Sequence, residues 1–283
     1  MKIGCNTVAF RRYSLDFALE MIASAGYSYV EVEANLSWCP HVDPWQDDPL
    51  KFKAKLKDYG FLGISAIGSH RELLTSKDAV KDIARALEWS REASVPIVLT
   101  GEGRMPDTMS KEDALLILKD CLTELAEVAE RNQVILALED HGTITLTPDG
   151  LPLLLSLVKS EWIGVNFDTA NIHRGDYVGT TREGYEWKLG ARTSYSEIEL
   201  LRKVVHKVRH THIKDVIGRD AVALGEGEID IVGCIKTLKE AGYKGFLSYE
   251  TEGMQPPEES LSMIIRSRQY LERLLTLMSQ ESK

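Results

Sequence analysis

The chain has 283 residues, 43% of them hydrophobic, and 34 Lys and Arg against 43 Asp and Glu leave a formal net charge of −9. That acidic balance argues against a nucleic-acid or anionic-membrane surface, both of which need a basic footprint, and no apolar run approaches the roughly 20 residues that cross a bilayer. The N-terminus lacks the basic and apolar stretches of an export signal, and Cys5, Cys39, Cys121 and Cys234 form no CxxC pair, so free thiols in a soluble cytoplasmic protein acting on a small neutral or polyhydroxylated molecule are expected.

In chain order, a strand-like run at 2–7 (KIGCNT) leads to an amphipathic helix at 14–25, YVEVEA at 29–34 to a helix at 49–59, and GISAIG at 63–68 to one at 78–93. The alternation continues with IVLTG (97–101) before 111–131, VILALE (134–139) before 148–159, and GVNFD (164–168) before 195–206. VRHTHI (208–213) then precedes 231–241, and FLSYE (246–250) precedes 258–279. Apolar residues recur near every 3.6 positions in the helical runs, as Ala114, Leu115, Leu118, Leu122, Leu125, Ala126 and Ala129 do in the fourth. Gly26, Gly60 and Gly242 stand where helix C-termini favour a left-handed residue. Repeated βα units predict a parallel sheet, and eight of them without a Gly/Ser/Pro linker predict a single α/β domain over 1–283, a (β/α)8 TIM barrel.

Four side chains of metal-ligand type stand at the C-terminal ends of separate predicted strands: Glu139, Asp168, His212 and Glu250. In such a barrel the strand ends converge on one mouth, so residues remote in sequence can face a single ion. An oxygen-rich set with one imidazole suits Mn²⁺ or Mg²⁺, with Co²⁺ and Zn²⁺ as alternatives. A metal-chelated carbonyl acidifies the neighbouring C–H, and Glu139 and Glu250, on nonadjacent strands, are placed to remove and return that proton through an enediolate. Taken singly, each of these residues also reads as a salt-bridged rim residue; their joint occurrence carries the functional reading.

Through LALED, FDTAN, THIKD and SYETEG the chain resembles the xylose-isomerase-like (sugar phosphate isomerase/epimerase) barrels, which include tagatose and psicose 3-epimerases, inosose dehydratase and the apurinic endonuclease. The resemblance covers nearly the whole chain. It implies one divalent metal held by Glu139, Asp168, His212 and Glu250, with the two glutamates doubling as acid/base catalysts. It departs at Asn171, where the epimerases carry a substrate-binding His, and that departure leaves room for a lyase that eliminates a β-substituent from a keto-sugar, inosose or 3-keto-glycoside. The endonuclease needs a three-metal cluster with more His ligands than TGEG after the fourth strand supplies, and a barrel reduced to a partner subunit would not need a complete ligand set.

Other residues near the expected mouth are candidates for substrate binding: His70, Glu102, His141, Asn171 and Lys214. Two of them have a bland reading beside this one, His70 as a helix cap and Lys214 as a solvated lysine. Asn6 reads as a mouth residue or a turn former. The long segments 35–48 and 169–194 carry Trp38, Trp45, Tyr177, Tyr185 and Trp187, which could cover a sugar ring or fold back on their own loops. LGEGEID (224–230) could cup a phosphate before a helix, but its acids argue for a plain loop. A homo-oligomer, dimer or tetramer, is expected.

Overall fold

The structure is a computed structural model and describes residues 1–174, 195–218, 220–252 and 255–280. Its strands are β1 (Lys2–Asn6), β2 (Tyr29–Asn35), the two-residue β3 (Cys39–Pro40), β4 (Gly63–Gly68), β5 (Ile97–Thr100), β6 (Ile135–Glu139), β7 (Ile163–Asp168), β8 (Val208–Ile213), β9 (Asp215–Ile217), β10 (Asp220–Val222) and β11 (Phe246–Tyr249). Apart from β3 and the β9–β10 hairpin, each pairs in parallel with the next, and β1 pairs in parallel with both β2 and β11. The sheet therefore closes on itself as a (β/α)8 barrel forming a single domain. All eight expected strands lie within a residue or two of their expected positions.

Helices α1 (Leu15–Ser24), α2 (Pro49–Asp58), α3 (Ala79–Ala93), α4 (Lys111–Asn132), α5 (Gly150–Leu157), the single turn α6 (Asn171–Arg174), α7 (Glu197–Val204), α8 (Ile231–Glu240) and α9 (Pro257–Gln280) surround it. In α4 the expected stripe is buried except for Leu115, which is half-buried at its margin. Burial of each of its leucines stabilises the fold by about 1.5–3 kcal/mol. Ser14, Asp48 and Ser110 accept backbone N–H bonds at the starts of α1, α2 and α4. Gly26, Gly60 and Gly242 end helices at φ +85, +83 and +78. α5 begins after Pro148 rather than on it, with Asp149 as its N-cap.

Side chains alternate across each strand, and the barrel strands are buried on both faces. Ile67, Val98, Leu136 and Leu138 join the large core beneath the helices, while Ala66, Leu99 and Ala137 belong to a separate small cluster with Ile97. Glu139 shares the parity of Ala137, so it tops the barrel lumen rather than the helical layer. Among the described residues no helix is long and apolar enough to cross a membrane, and the four cysteines are free.

Candidate metal centre at the barrel mouth

Strand register fixes which side chains meet. Asp168 stands beside His212 across β7 and β8, Ser248 beside His212 across β8 and β11, and Glu139 beside Asn166 across β6 and β7. His212 Nδ1 lies 3.5 Å from Glu139 Oε2, 3.8 Å from Asp168 Oδ2 and 3.5 Å from Glu250 Oε2. All four residues are buried. Asp168 Oδ1 is taken by the backbone N–H groups of Ala170 and Asn171 at 2.7 and 3.1 Å, which leaves Oδ2 toward the centre.

A layer of polar side chains holds this set. His212 Nε2 pairs with Glu31 Oε1 at 2.7 Å, so the ring is oriented by a carboxylate on one side and presents Nδ1 on the other. Asn6 Nδ2 lies 2.9, 2.7 and 3.2 Å from carboxylate oxygens of Glu31, Glu33 and Glu250, while its Oδ1 accepts from Val8 N. Asn6 is both things the sequence allowed, mouth residue and turn former. Asn166 Nδ2 donates to Glu139 Oε2 at 2.9 Å, and its Oδ1 receives His210 Nδ1 at 2.9 Å.

Sequence reasoning missed Glu31, Glu33, Asn35 and Asn166. Two glutamates alternating with Val30, Val32 and Ala34 in one strand were the available signal.

The electrostatics call for added positive charge. Burial lowers the His212 pKa, but Glu250, Glu31 and Glu139 outweigh it and raise the imidazole well above its usual range. Burial raises Glu139, yet His212 and His70 hold it well below the ordinary carboxylate value. Burial, helped by Glu252 and Asp168, keeps Glu250 well above it. His210, buried and facing His212, is pushed down to about 4. Three buried carboxylates converge on one imidazole nitrogen. Ligand atoms bound to one divalent ion at about 2.0–2.3 Å lie about 3–4 Å apart; ligand atoms of Glu139, Asp168 and His212 all lie within 4.8 Å of one another, and Glu250 Oε2 is 3.5 Å from His212 Nδ1. The residues fit a divalent cation.

Of the other expected residues, His70 and His141 join this group from the cavity side. His70 Nε2 is 3.1 Å from Glu139 Oε2, and His141 Nδ1 is 3.6 Å from Glu139 Oε1. Asn35 Oδ1 accepts the His70 backbone N–H, so its Nδ2, 3.4 Å from His70 Nδ1, is a donor; Nδ1 therefore accepts and Nε2 donates to Glu139. Asn171 Nδ2 donates to Glu139 Oε1 at 3.1 Å. Lys214 Nζ sits 2.6 Å from Glu250 Oε2, 3.1 Å from Asp168 Oδ2 and 2.8 Å from Glu252 Oε1, so it is a buried counter-ion rather than a solvated lysine.

Glu102 does not join them. Its carboxylate accepts from Ile144 N, Thr145 N and Thr145 Oγ1 at 2.7–2.9 Å, and it is fully buried in the turn after β6. Its contacts are those of a structural brace.

A cavity of about 270 Å³ opens at His70 and His141, lined also by Trp38, Arg71, Glu72 and Asp82 among others. Trp38 is part of the wall of this cavity. Trp45 turns away, bonding Asp82 Oδ1 through Nε1 and carrying Lys81 over its ring. Tyr177, Tyr185 and Trp187 lie outside the described residues. The 224–230 segment is a loop whose N–H groups at Gly225, Gly227 and Ile229 all point to the Asp215 carboxylate at 2.9–3.1 Å. The nest that could have cupped a phosphate holds the protein's own anion.

With this geometry established, comparison with known proteins adds the following. The model of the xylose isomerase-like TIM barrel family matches residues 19–273. An uncharacterized protein of Methanocaldococcus jannaschii is 31% identical over 300 residues, covering 97% of this chain and 100% of that protein. An inosose dehydratase of Clostridium perfringens is 22% identical over 187 residues, 59% of this chain and 57% of the dehydratase, so the match spans little more than half of that relative. Among solved structures, a D-tagatose 3-epimerase-like protein superposes with a TM-score of 0.79 at 19% identity over 100% of both chains. The IolI protein with a bound zinc atom gives 0.74 at 20% identity over 98% of both. At these identities the structural likeness speaks for the fold.

Proposed function

The chain belongs to the xylose isomerase-like TIM barrel family, and on that premise we propose that it is a divalent-metal-dependent isomerase or epimerase of a sugar or keto-sugar. The observation that carries this reading is the meeting of Glu139, Asp168 and Glu250 at 3.5–3.8 Å from one nitrogen of His212. These four residues would hold the ion, with Mn²⁺ the first choice for so oxygen-rich a set and Mg²⁺, Co²⁺ or Zn²⁺ as alternatives. When bound, it supplies Lewis-acid polarisation of a substrate carbonyl.

The chain's own residues supply the rest. One of the two glutamates takes the proton from the carbon next to the carbonyl, the C–H electron pair becomes the C=C of an enediolate, and the other glutamate returns a proton to carbon. General acid and base steps of this kind each contribute about 10²–10⁴-fold. His70, Asn166 and Asn171 fix Glu139 by donating to its two oxygens, and Asn6 and Lys214 do the same for Glu250. His70 and His141, which line the cavity, would meet substrate hydroxyls.

A second reading, a lyase acting on an inosose or 3-keto-glycoside, uses the same proton abstraction and then expels a β-hydroxyl or β-alkoxyl group. Asn171 favours it, because an amide that donates to Glu139 stands where the epimerases carry a substrate-binding imidazole. Incubation of metal-loaded protein with ketoses, inososes and 3-keto-glycosides in deuterated water tests both. Deuterium at the carbon beside the carbonyl with conserved product mass supports the isomerase, and loss of water or an aglycone supports the lyase. Full activity after exhaustive chelation would sink both.

A further inference from the structure

Two groups of ligand-type atoms meet on Glu139. One joins it to Asp168 and His212, the other to His70 and His141, and within each group the atoms lie no more than 4.8 Å from one another. His70 Nε2 is 3.1 Å from Glu139 Oε2 and His141 Nδ1 is 3.6 Å from Oε1, with the two ring centroids 4.7 Å apart. By spacing alone the mouth would take two cations with Glu139 between them. What stands behind each imidazole separates the two groups.

A neutral histidine that ligates through one ring nitrogen carries its proton on the other, and an acceptor normally faces that proton. His212 has this backing: Glu31 Oε1 stands 2.7 Å from Nε2, which leaves the Nδ1 lone pair toward the carboxylates. His70 has the opposite backing. The group 3.4 Å from its Nδ1 is Asn35 Nδ2, an N–H donor. Nδ1 answers it with a lone pair, the ring proton sits on Nε2, and Nε2 aims that proton at Glu139 where a ligand would aim electrons.

Asn35 is held against turning its oxygen to the ring instead. Its Oδ1 accepts the His70 backbone N–H at 2.7 Å, and its Nδ2 also donates to Glu33 Oε2, a carboxylate whose other oxygen takes Asn6 Nδ2 at 2.7 Å. Half a turn of the amide would set Oδ1 against that carboxylate and Nδ2 against an N–H, in a site where Asn35 is 1% and Glu33 2% exposed.

We propose that Asn35 is the positioning residue that sets how many cations this mouth holds: by keeping His70 in its Nε2–H form it makes the His70 side of Glu139 a hydrogen-bonded wall, and leaves one ion on the side of Asp168 and His212. The proposal rests on the metal-dependent reading above and adds the ion count and the residue that fixes it. A carboxylate in place of the amide reverses the polarity. It accepts the backbone N–H as before, receives a proton from His70 Nδ1, and frees Nε2 to ligate.

The test loads the full chain with Zn²⁺, a d¹⁰ ion that suits imidazole and carboxylate ligands, and counts ions per chain by mass spectrometry. Wild type should retain one, Asn35→Asp two, and Asn35→Asp combined with His70→Gln one again. The double variant separates ligation by His70 from simple attraction to the added charge, so a second ion that persists in it overturns the proposal. So does an Asn35→Asp chain that is folded by its melting curve yet stays at one. Nitrogen-15 correlation spectra of the histidine rings in the Zn²⁺-loaded wild type, with His70→Gln assigning the signal, should show His70 protonated at Nε2 and bare at Nδ1. That measurement decides the matter even if Asn35→Asp fails to fold. Any other protonation pattern, or a second wild-type ion that His70→Gln removes, overturns the proposal and leaves the metal-centre reading standing. A wild-type chain that retains no divalent ion sinks that reading and this proposal with it.

Discussion

The two halves of the barrel mouth use the same residue type for opposite ends. On β6 and after β11, Glu139 and Glu250 project oxygens toward His212 and Asp168. On β2 and after β5, Glu31, Glu33 and Glu102 are at least as deeply buried, but their oxygens go to His212 Nε2, to Asn6 and Asn35, and to the 144–145 turn. A buried glutamate is thus not a functional signal by itself. What separates the two sets is where the oxygens point: those of Glu139 and Glu250 also face His212 Nδ1, while those of Glu102 face only the 144–145 turn.

Variants of the half proposed to hold the metal break this contrast hardest. Asp168→Ala or His212→Ala is expected to abolish metal retention and lower turnover by about three orders of magnitude or more, checked by metal content and steady-state rates. Normal metal content in either variant would remove that residue from the ligand set. Glu139→Gln and Glu250→Gln should each lower turnover about 10²–10⁴-fold, read from the rate and from deuterium incorporation. If both retain full turnover, the acid/base pair is wrong.

In the supporting half the expected effects are smaller and different in kind. Glu31→Gln should weaken metal affinity about 10–100-fold by loosening His212, as outer-shell changes do, and a competition titration with a chelator measures it. Glu102→Ala should leave metal affinity untouched and cost about 1–3 kcal/mol in a denaturant melt, because Ile144 and Thr145 would be left with buried, unanswered donors. The smallest effect is a pH dependence at His41, buried with Nε2 on Tyr13 O and held by burial below its usual 6.5. As pH falls below 6.5 the unfolded chain takes up a proton before the folded one does, so stability is full above that value and declines between it and the lowered folded value. His41→Gln should flatten that slope in melts across the range.

The barrel was legible because a parallel strand and its helix leave different periods in the sequence, and eight repeats average out local errors. The four proposed ligands were brought to notice for a related reason: Glu139 and Asp168 end β6 and β7, His212 stands one residue before the end of β8, and Glu250 immediately follows β11. The supporting set was not. Glu31, Glu33 and Asn35 alternate with Val30, Val32 and Ala34, which is equally the pattern of a strand with one face in water; only closure of the sheet turns that polar face inward. Glu102 shows the converse, since TGEG carries no trace of the Ile144 and Thr145 amides that consume its carboxylate. The hairpin of β9 and β10, too short for any periodicity, was invisible.

One consequence concerns Asp215. By answering three amides of the 225–229 segment, it ties that loop directly to the chain leaving β8, three residues beyond His212. Displacing this flank of the opening would leave three backbone donors without their acceptor, so one carboxylate fastens the loop to the strand end.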